Sequence, residues 1–225
     1  MALTAVTPKL SIASRAARLA LLSALAGTAA ACGGSHHPQE APVPAPTAPL
    51  PTAGLAGQKV VVYPLTLVAA DERLRWDSVL TPRRAALDHA DSMLAETLTG
   101  RSPEVTWVLP PALRQVARRS APVTTSPDQT PTSLLRSPGL RQLPDPLWSQ
   151  MRNLVAIAGE RYALVPASLI FVPASGGSAG RAELTLVLAD VRSGAIAWRT
   201  VANAVAGDPW EGLARALKAL TPWLP

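Results

Sequence analysis

Four groups of residues in this 225-residue chain have types and spacings that could do chemistry. Cys32, the only cysteine, follows Ala29, Ala30 and Ala31. Cleavage after Ala31 would leave its thiol at a new amino terminus, where it is the nucleophile that a lipid transferase needs. Gly176-Gly177-Ser178-Ala179-Gly180 matches the Gly-x-Ser-x-Gly string of a nucleophile elbow. His36 and His37 form an adjacent imidazole pair, and Asp71, Glu72, Asp88 and Asp91 supply carboxylates. An elbow requires a strand before the serine, a helix after it and a later histidine to accept the proton. Here a strand pattern follows Ser178 and no histidine occurs beyond His89, so the string reads as a small-residue hairpin loop. It also lacks the Gly-Lys-Ser/Thr ending of a phosphate loop. The histidine pair has no Asp, Cys or further His in a structured frame to complete a metal site. The carboxylates read as ordinary surface groups, and His89 faces away from the apolar stripe of its helix. Neither a catalytic residue, a metal nor a cofactor is expected.

The elements that position Cys32 are clearer. Lys9, Arg15 and Arg18 make the first segment cationic without an acid, and Leu19 to Ala31 is an apolar run too short to span a bilayer, which takes about 20 residues. Ala29-Ala30-Ala31-Cys32 resembles the lipobox of bacterial lipoproteins. That resemblance implies a signal peptide over 1–31, cleavage after Ala31, a diacylglycerol thioether on Cys32 and acylation, such as palmitate, on its freed amine. Two or three acyl chains anchor stably, since each buried methylene contributes about 0.8 kcal/mol. The alternative is ordinary secretory cleavage after an Ala-x-Ala site, which leaves Cys32 a free thiol. Gly33, rather than an acid, follows the cysteine, so the expected location is the periplasmic face of the outer membrane.

Removing the three cations of the leader lowers the formal charge from +6 to +3. So mild a charge, in an exported chain, argues against a nucleic-acid partner. With its one cysteine committed to lipid, the domain has no internal disulfide and must be held by packing. Residues 32–57 read as a tether: Pro38, Pro42, Pro44, Pro46, Pro49 and Pro51 recur among alanines without apolar periodicity from Gly33 to Leu55. About 22 residues of extended polyproline conformation would reach roughly 70 Å.

Residues 58–225 are long enough for one α/β domain. Lys59 to Tyr63 is a β-branched run stopped by Pro64 and predicts a buried strand, with Leu65 to Val68 prolonging it past a bulge. Thr81 as N-cap and Pro82 as first residue open a helix whose stripe is Leu87, Ala90, Leu94 and Leu98, closed by Gly100. Glu104 to Leu109 predicts a strand, and Pro111 to Ser120 a short helix with Arg114, Arg118 and Arg119 on its polar side. Those arginines either form a solvated face or meet headgroups or an acidic partner. Residues 121–144, with five prolines among Ser, Thr and Gly, form an irregular insertion that is either functional or disordered. Asp145 and Pro146 then open a helix carrying Leu147, Met151, Leu154, Val155 and Ala158, closed by Gly159. Arg161 to Val165 is a strand, and Ser168 to Val172 either continues it or forms a new edge. Arg181 to Asp190 and Ala195 to Ala204 predict an antiparallel hairpin, the second strand presenting Ile196, Trp198 and Thr200 on one face. Asp208, Pro209 and Glu211 cap a last helix lined by Trp210, Leu213, Leu217 and Leu220.

Three strings carry a family resemblance: Lys59-Val-Val-Val-Tyr-Pro-Leu, Ala163-Leu-Val-Pro after a Gly159-ended helix, and Asp190, Gly194 and Trp198 in an Asp-x-x-x-Gly-x-x-x-Trp frame. Together they resemble a group of periplasmic lipoprotein domains. The group includes the curli-secretion channel lipoprotein, the lipoprotein activators of penicillin-binding proteins and the amino-terminal domain of the Tol propeller protein. The resemblance implies a small α/β sandwich, with a mixed sheet of about five strands flanked by helices, that binds or assembles with other envelope proteins. The Asp190 to Trp198 frame also has a purely structural account as a turn and a packed indole. The function expected is that of a non-enzymatic, lipid-anchored envelope protein with an envelope protein partner. The alternatives are an envelope hydrolase using Ser178 or carboxylates that converge only in the fold, and a small-ligand or glycan receptor.

Overall fold

A computed structural model of the chain describes residues 45–175 and 179–222, all within the contact unit Glu40–Pro225. Ala31, Cys32, His36, His37 and Ser178 lie outside the described residues, as does the expected leader. The elements run Thr52–Leu55 (α1), Lys59–Val62 (β1), Val68–Ala70 (β2), Arg83–Arg101 (α2), Thr106–Val108 (β3), Pro110–Arg119 (α3), Leu147–Ile157 (α4), Tyr162–Pro173 (β4), Gly180–Asp190 (β5), Ala195–Ala206 (β6) and Pro209–Leu220 (α5).

The mixed α/β sheet expected from the sequence is present, with strand order β3-β1-β4-β5-β6. β1 is parallel to both β3 and β4, whereas β4, β5 and β6 form an antiparallel meander. The sixth strand, β2, lies further along the edge of β4 that β1 occupies: β1 pairs with residues 162–164 and β2 with residues 169–171. The interruption between them faces the register shift at Pro166/Ser168, so β4 is one strand with a bulge.

Each sheet face carries its own core. On the first, Val60, Val62, Leu164, Leu184 and Leu186 pack under Leu94 and Leu98 of α2 and Leu213 and Leu217 of α5. On the second, Val61, Tyr63, Val165 and Val187 pack under Leu113, Met151 and Leu154. Val60, Val61 and Val62 are consecutive and all buried, as a central strand covered on both faces requires. Truncating a fully buried leucine such as Leu213 to alanine costs about 2–5 kcal/mol.

Four details differ from the sequence expectation. The domain begins before residue 58: Leu50 and Leu55 are buried, and the Leu50 N–H donates to Leu220 O at 2.9 Å. The Ala48 N–H donates to Thr200 Oγ1 at 2.8 Å. An extended strand of this kind needs only an occasional leucine to anchor it, so it leaves no periodic signal. The insertion is ordered as two 3-10 turns, Pro127–Gln129 and Thr132–Arg136, held by buried Leu135 and Leu143.

Ile196 and Trp198 do not share a face, because the register shift between Leu188 and Ala189 turns Ile196 to the second core and leaves Trp198 on the first. The helix caps also shift by one residue. α2 begins at Arg83 and α4 at Leu147, with Pro82 and Pro146 in the cap positions. The Thr81 hydroxyl donates to Asp77 O, and the Asp145 carboxylate accepts from Ser149 Oγ. The last helix is capped as expected, Asp208 Oδ1 accepting from the N–H groups of Trp210 and Glu211.

Candidate functional site

The Gly-x-Ser-x-Gly segment sits in the β4–β5 connection. The Ala174 N–H donates to Ala179 O at 2.9 Å, and Pro173 pairs with Gly180 at the start of β5. A strand rather than a helix therefore follows, which removes the geometry an elbow needs. Gly180 lies against the Trp76 ring so closely that a Cβ there would collide with it.

The Asp190 to Trp198 frame is a turn. Asp190 Oδ2 accepts from Arg161 Nε at 3.0 Å and Nη2 at 2.5 Å, and Oδ1 from the Arg192 N–H at 3.0 Å. The Arg161 bonds hold this carboxyl below the ordinary range. Gly194 has φ +77°, and a Cβ there would meet Trp148 at 3.0 Å, so glycine is required twice over. Trp148 Nε1 donates to Val191 O at 2.8 Å and closes the turn against α4. His89 is exposed, as expected, with its ring edge-on to Trp210 at 4.6 Å.

Asp91 is not a surface carboxylate. Its residue is 7% exposed, and Oδ1 accepts from the Leu65 N–H at 2.8 Å. Oδ2 accepts from Arg114 Nη2 at 3.3 Å. Arg114 donates Nε to both oxygens of Asp128, at 3.1 and 3.0 Å, and Nη2 to Asp128 Oδ1 at 2.8 Å. Arg84 Nη1 reaches Asp128 Oδ1 at 3.0 Å, and its Nε and Nη2 donate to Asp88 at 2.9 and 2.8 Å.

The five groups fasten α2, α3, the insertion and the segment after β1 to one another. Burial pushes the Asp91 carboxyl up to about 6, against the opposing bonds from Leu65 and Arg114. Burial also acts to raise Asp128, but there the bonds from Arg114 and Arg84 win and hold it below its ordinary value. This is a clasp with every member engaged. Among the described residues no group of three His, Cys, Asp or Glu side chains could hold a metal ion.

The second sheet face is covered only along part of its length. Beyond Val165 and Val187, the buried Ser168 and Thr185, whose hydroxyls bond each other at 3.4 Å, and the half-buried Ile170 floor a groove of about 540 Å³ walled by Ser133, Leu134, Arg136 and Ser137 of the insertion. Val201, the β6 partner of Thr185, and Leu134 are exposed beside it. Arg199 pairs with Val187 on this face, and its Nη1 donates to Leu135 O at 2.5 Å, supporting the groove wall.

Arg199 is half-buried, and its Nη2 is buried without a partner. Burial lowers its affinity for a proton, and the charge of Arg141 lowers it further. Glu183, the β4-facing neighbour opposite Ile170, is held by Arg181 Nε at 2.8 Å.

Two features escaped the sequence reading. Asp91 stands four residues after Leu87 and three before Leu94, a core position of the same stripe, so helical spacing did carry that signal. Arg199 gave none, because alternation opposite Trp198 and Thr200 sets its face but not the Leu135 carbonyl of the insertion that it meets.

No family model matches the chain, and no curated protein matches it. Among solved structures, the chain is similar to the LpoB C-terminal domain from Escherichia coli. The identity is 16%, over 67% of this chain and 84% of that one, with a TM-score of 0.36. It is also similar to the LpoB C-terminal domain from Salmonella enterica, at 16% identity over 67% and 83% of the two chains, TM-score 0.35. A PelC dodecamer from Paraburkholderia phytofirmans matches at 16% identity over 80% and 97%, TM-score 0.36. Likenesses of this size assign neither a family nor an activity.

Proposed function

We propose that the chain is a lipid-anchored, non-enzymatic protein of a bacterial cell envelope whose α/β domain binds or assembles with another envelope protein, at the periplasmic face of the outer membrane. The observation that carries this is the cationic, apolar leader ending in Ala29-Ala30-Ala31-Cys32 ahead of a folded domain. Two features of the domain support a binding role. Its buried carboxylates are spent on holding elements together, and part of one sheet face is left open beside a groove. Among the described residues no helix is long and apolar enough to cross a membrane, so attachment would fall to the lipid on Cys32.

Replacing Cys32 with serine tests the anchor. The variant should leave the membrane fraction, and the native product should carry the mass of a cleaved, acylated chain; an intact leader or a variant that stays membrane-bound refutes it. In-cell crosslinking from the domain surface, read by mass spectrometry, tests the partner. Reproducible capture of an envelope protein is expected, and turnover of envelope material that depends on Ser178 would overturn the non-enzymatic role.

A further inference from the structure

We infer that the groove between the insertion and the open sheet face is the docking site for an acidic peptide segment of the partner. The inference rests on the proposed function, in that it takes the partner to be a protein. Three half-buried arginines show what is unusual here. Arg114 is met by Asp128 and Asp91, and Arg181 by Glu183. Arg199 is met by a carbonyl oxygen and by the like charge of Arg141, with one guanidinium nitrogen buried and unbonded. A half-buried cation without a counter-ion is costly; its free Nη2 is enclosed and Arg199 does not line the groove, so a carboxylate seated there would relieve the cost through its field.

Arg136 lines the groove itself, next in sequence to the Leu135 carbonyl that holds Arg199. Arg141 stands on the adjoining edge, its carbonyl accepting from the Ile196 N–H at 3.0 Å. Neither forms an ion pair among the described residues. Three arginines without an ion pair thus neighbour one another, with exposed Arg136 lining the groove, while Glu183 on the same sheet face is already engaged.

The rest of the lining favours a peptide over other acidic ligands. Leu134 and Ile170 offer aliphatic contact, and Ser133 and Ser137 offer hydroxyls that bond backbone amides, whereas Ser168 and Thr185 are buried and spend theirs on each other. Among the described lining residues none is an aromatic ring on which a sugar could lie. The occupant is a segment in which carboxylates alternate with aliphatic side chains.

The test titrates the full mature protein, in detergent, with a short synthetic peptide of alternating glutamate and leucine. A matched lysine–leucine peptide, inorganic phosphate and a polymeric uronate serve as the other probes. The glutamate peptide should bind saturably and weaken with salt, and the lysine peptide should not bind. The exposed double variant Arg136→Ala/Arg141→Ala should weaken binding by about tenfold, the loss of one charge-assisted bond, and Arg199→Gln should weaken it by a smaller factor through the lost field. The unfolding midpoint of the double variant should stay at the parental value, which separates lost contacts from lost fold.

The inference fails if the glutamate peptide does not saturate, or if both variants keep the parental affinity. Tighter binding of phosphate or uronate than of peptide, through the same arginines, also overturns it. Crosslinking that captures an envelope protein from another surface, with no peptide binding here, rejects the groove and leaves the proposed function standing.

Discussion

Arg114 and Arg199 are half-buried to a similar degree on the same side of the sheet, and they are treated in opposite ways. Arg114 is given carboxylates from two elements, and its Asp128 partner takes a further bond from Arg84. Arg199 is given one carbonyl and the repulsion of Arg141. Charge neutralised inside the fold contributes to holding it; charge left over at a groove is available to something outside. The contrast separates an arginine neutralised inside the fold from one left uncompensated beside a groove.

The sharpest way to break this comparison is to remove each guanidinium in turn. Arg114→Met leaves the buried Asp91 without its cation and Asp128 with Arg84 alone, and should cost about 3 kcal/mol in urea unfolding, the scale of a broken buried pair. Arg199→Met removes an uncompensated charge along with one hydrogen bond, and its change should stay below about 1 kcal/mol. If the two substitutions cost the same, the distinction is wrong.

Between these in size lies a pH effect. The Asp91 carboxyl stands near 6 in the folded chain against 3.8 unfolded, so the folded state holds more protons than the unfolded one across that window. Stability from this group is fully present below pH 3.8 and declines as pH rises to about 6. Asp128 and Asp190 are shifted the other way, and their contribution disappears on acidification below the ordinary carboxylate range. Asp91→Asn should therefore flatten the fall in melting temperature between pH 4 and 6 and leave the acid limb in place, as thermal unfolding across pH would show. The smallest effect belongs to Arg161→Ala. That residue is exposed beside Asp190, so its ion pair is screened by solvent and its loss should leave the unfolding midpoint at the parental value.

The sequence made legible those elements whose residues repeat with a period. β5 and β6, the Asp208-capped α5, and the leucine stripes of α2 and α4 stand where their spacing put them, because each has to bury one continuous face. Where a single residue does the anchoring, periodicity is silent: Leu50 in the amino-terminal segment and Leu135 in the insertion each pin a stretch that reads as irregular. Charge placement was harder still. Asp91 lay on a helical stripe, whereas the surroundings of Arg199 depend on the fold of the insertion, which no periodicity announces. The groove is accordingly the part of the molecule least visible from the amino-acid order.

The early fastening of the chain also sets a length. Thr47 Oγ1 already accepts from the Asn203 N–H, and the Asn203 side-chain amide donates to Ala45 O. From Cys32 to Ala45 the chain takes 13 backbone steps. Pulled straight, they give a leash of at most about 45 Å. A lipid at Cys32 would confine the domain to that radius from its own leaflet, so whatever it engages has to come within so short a range.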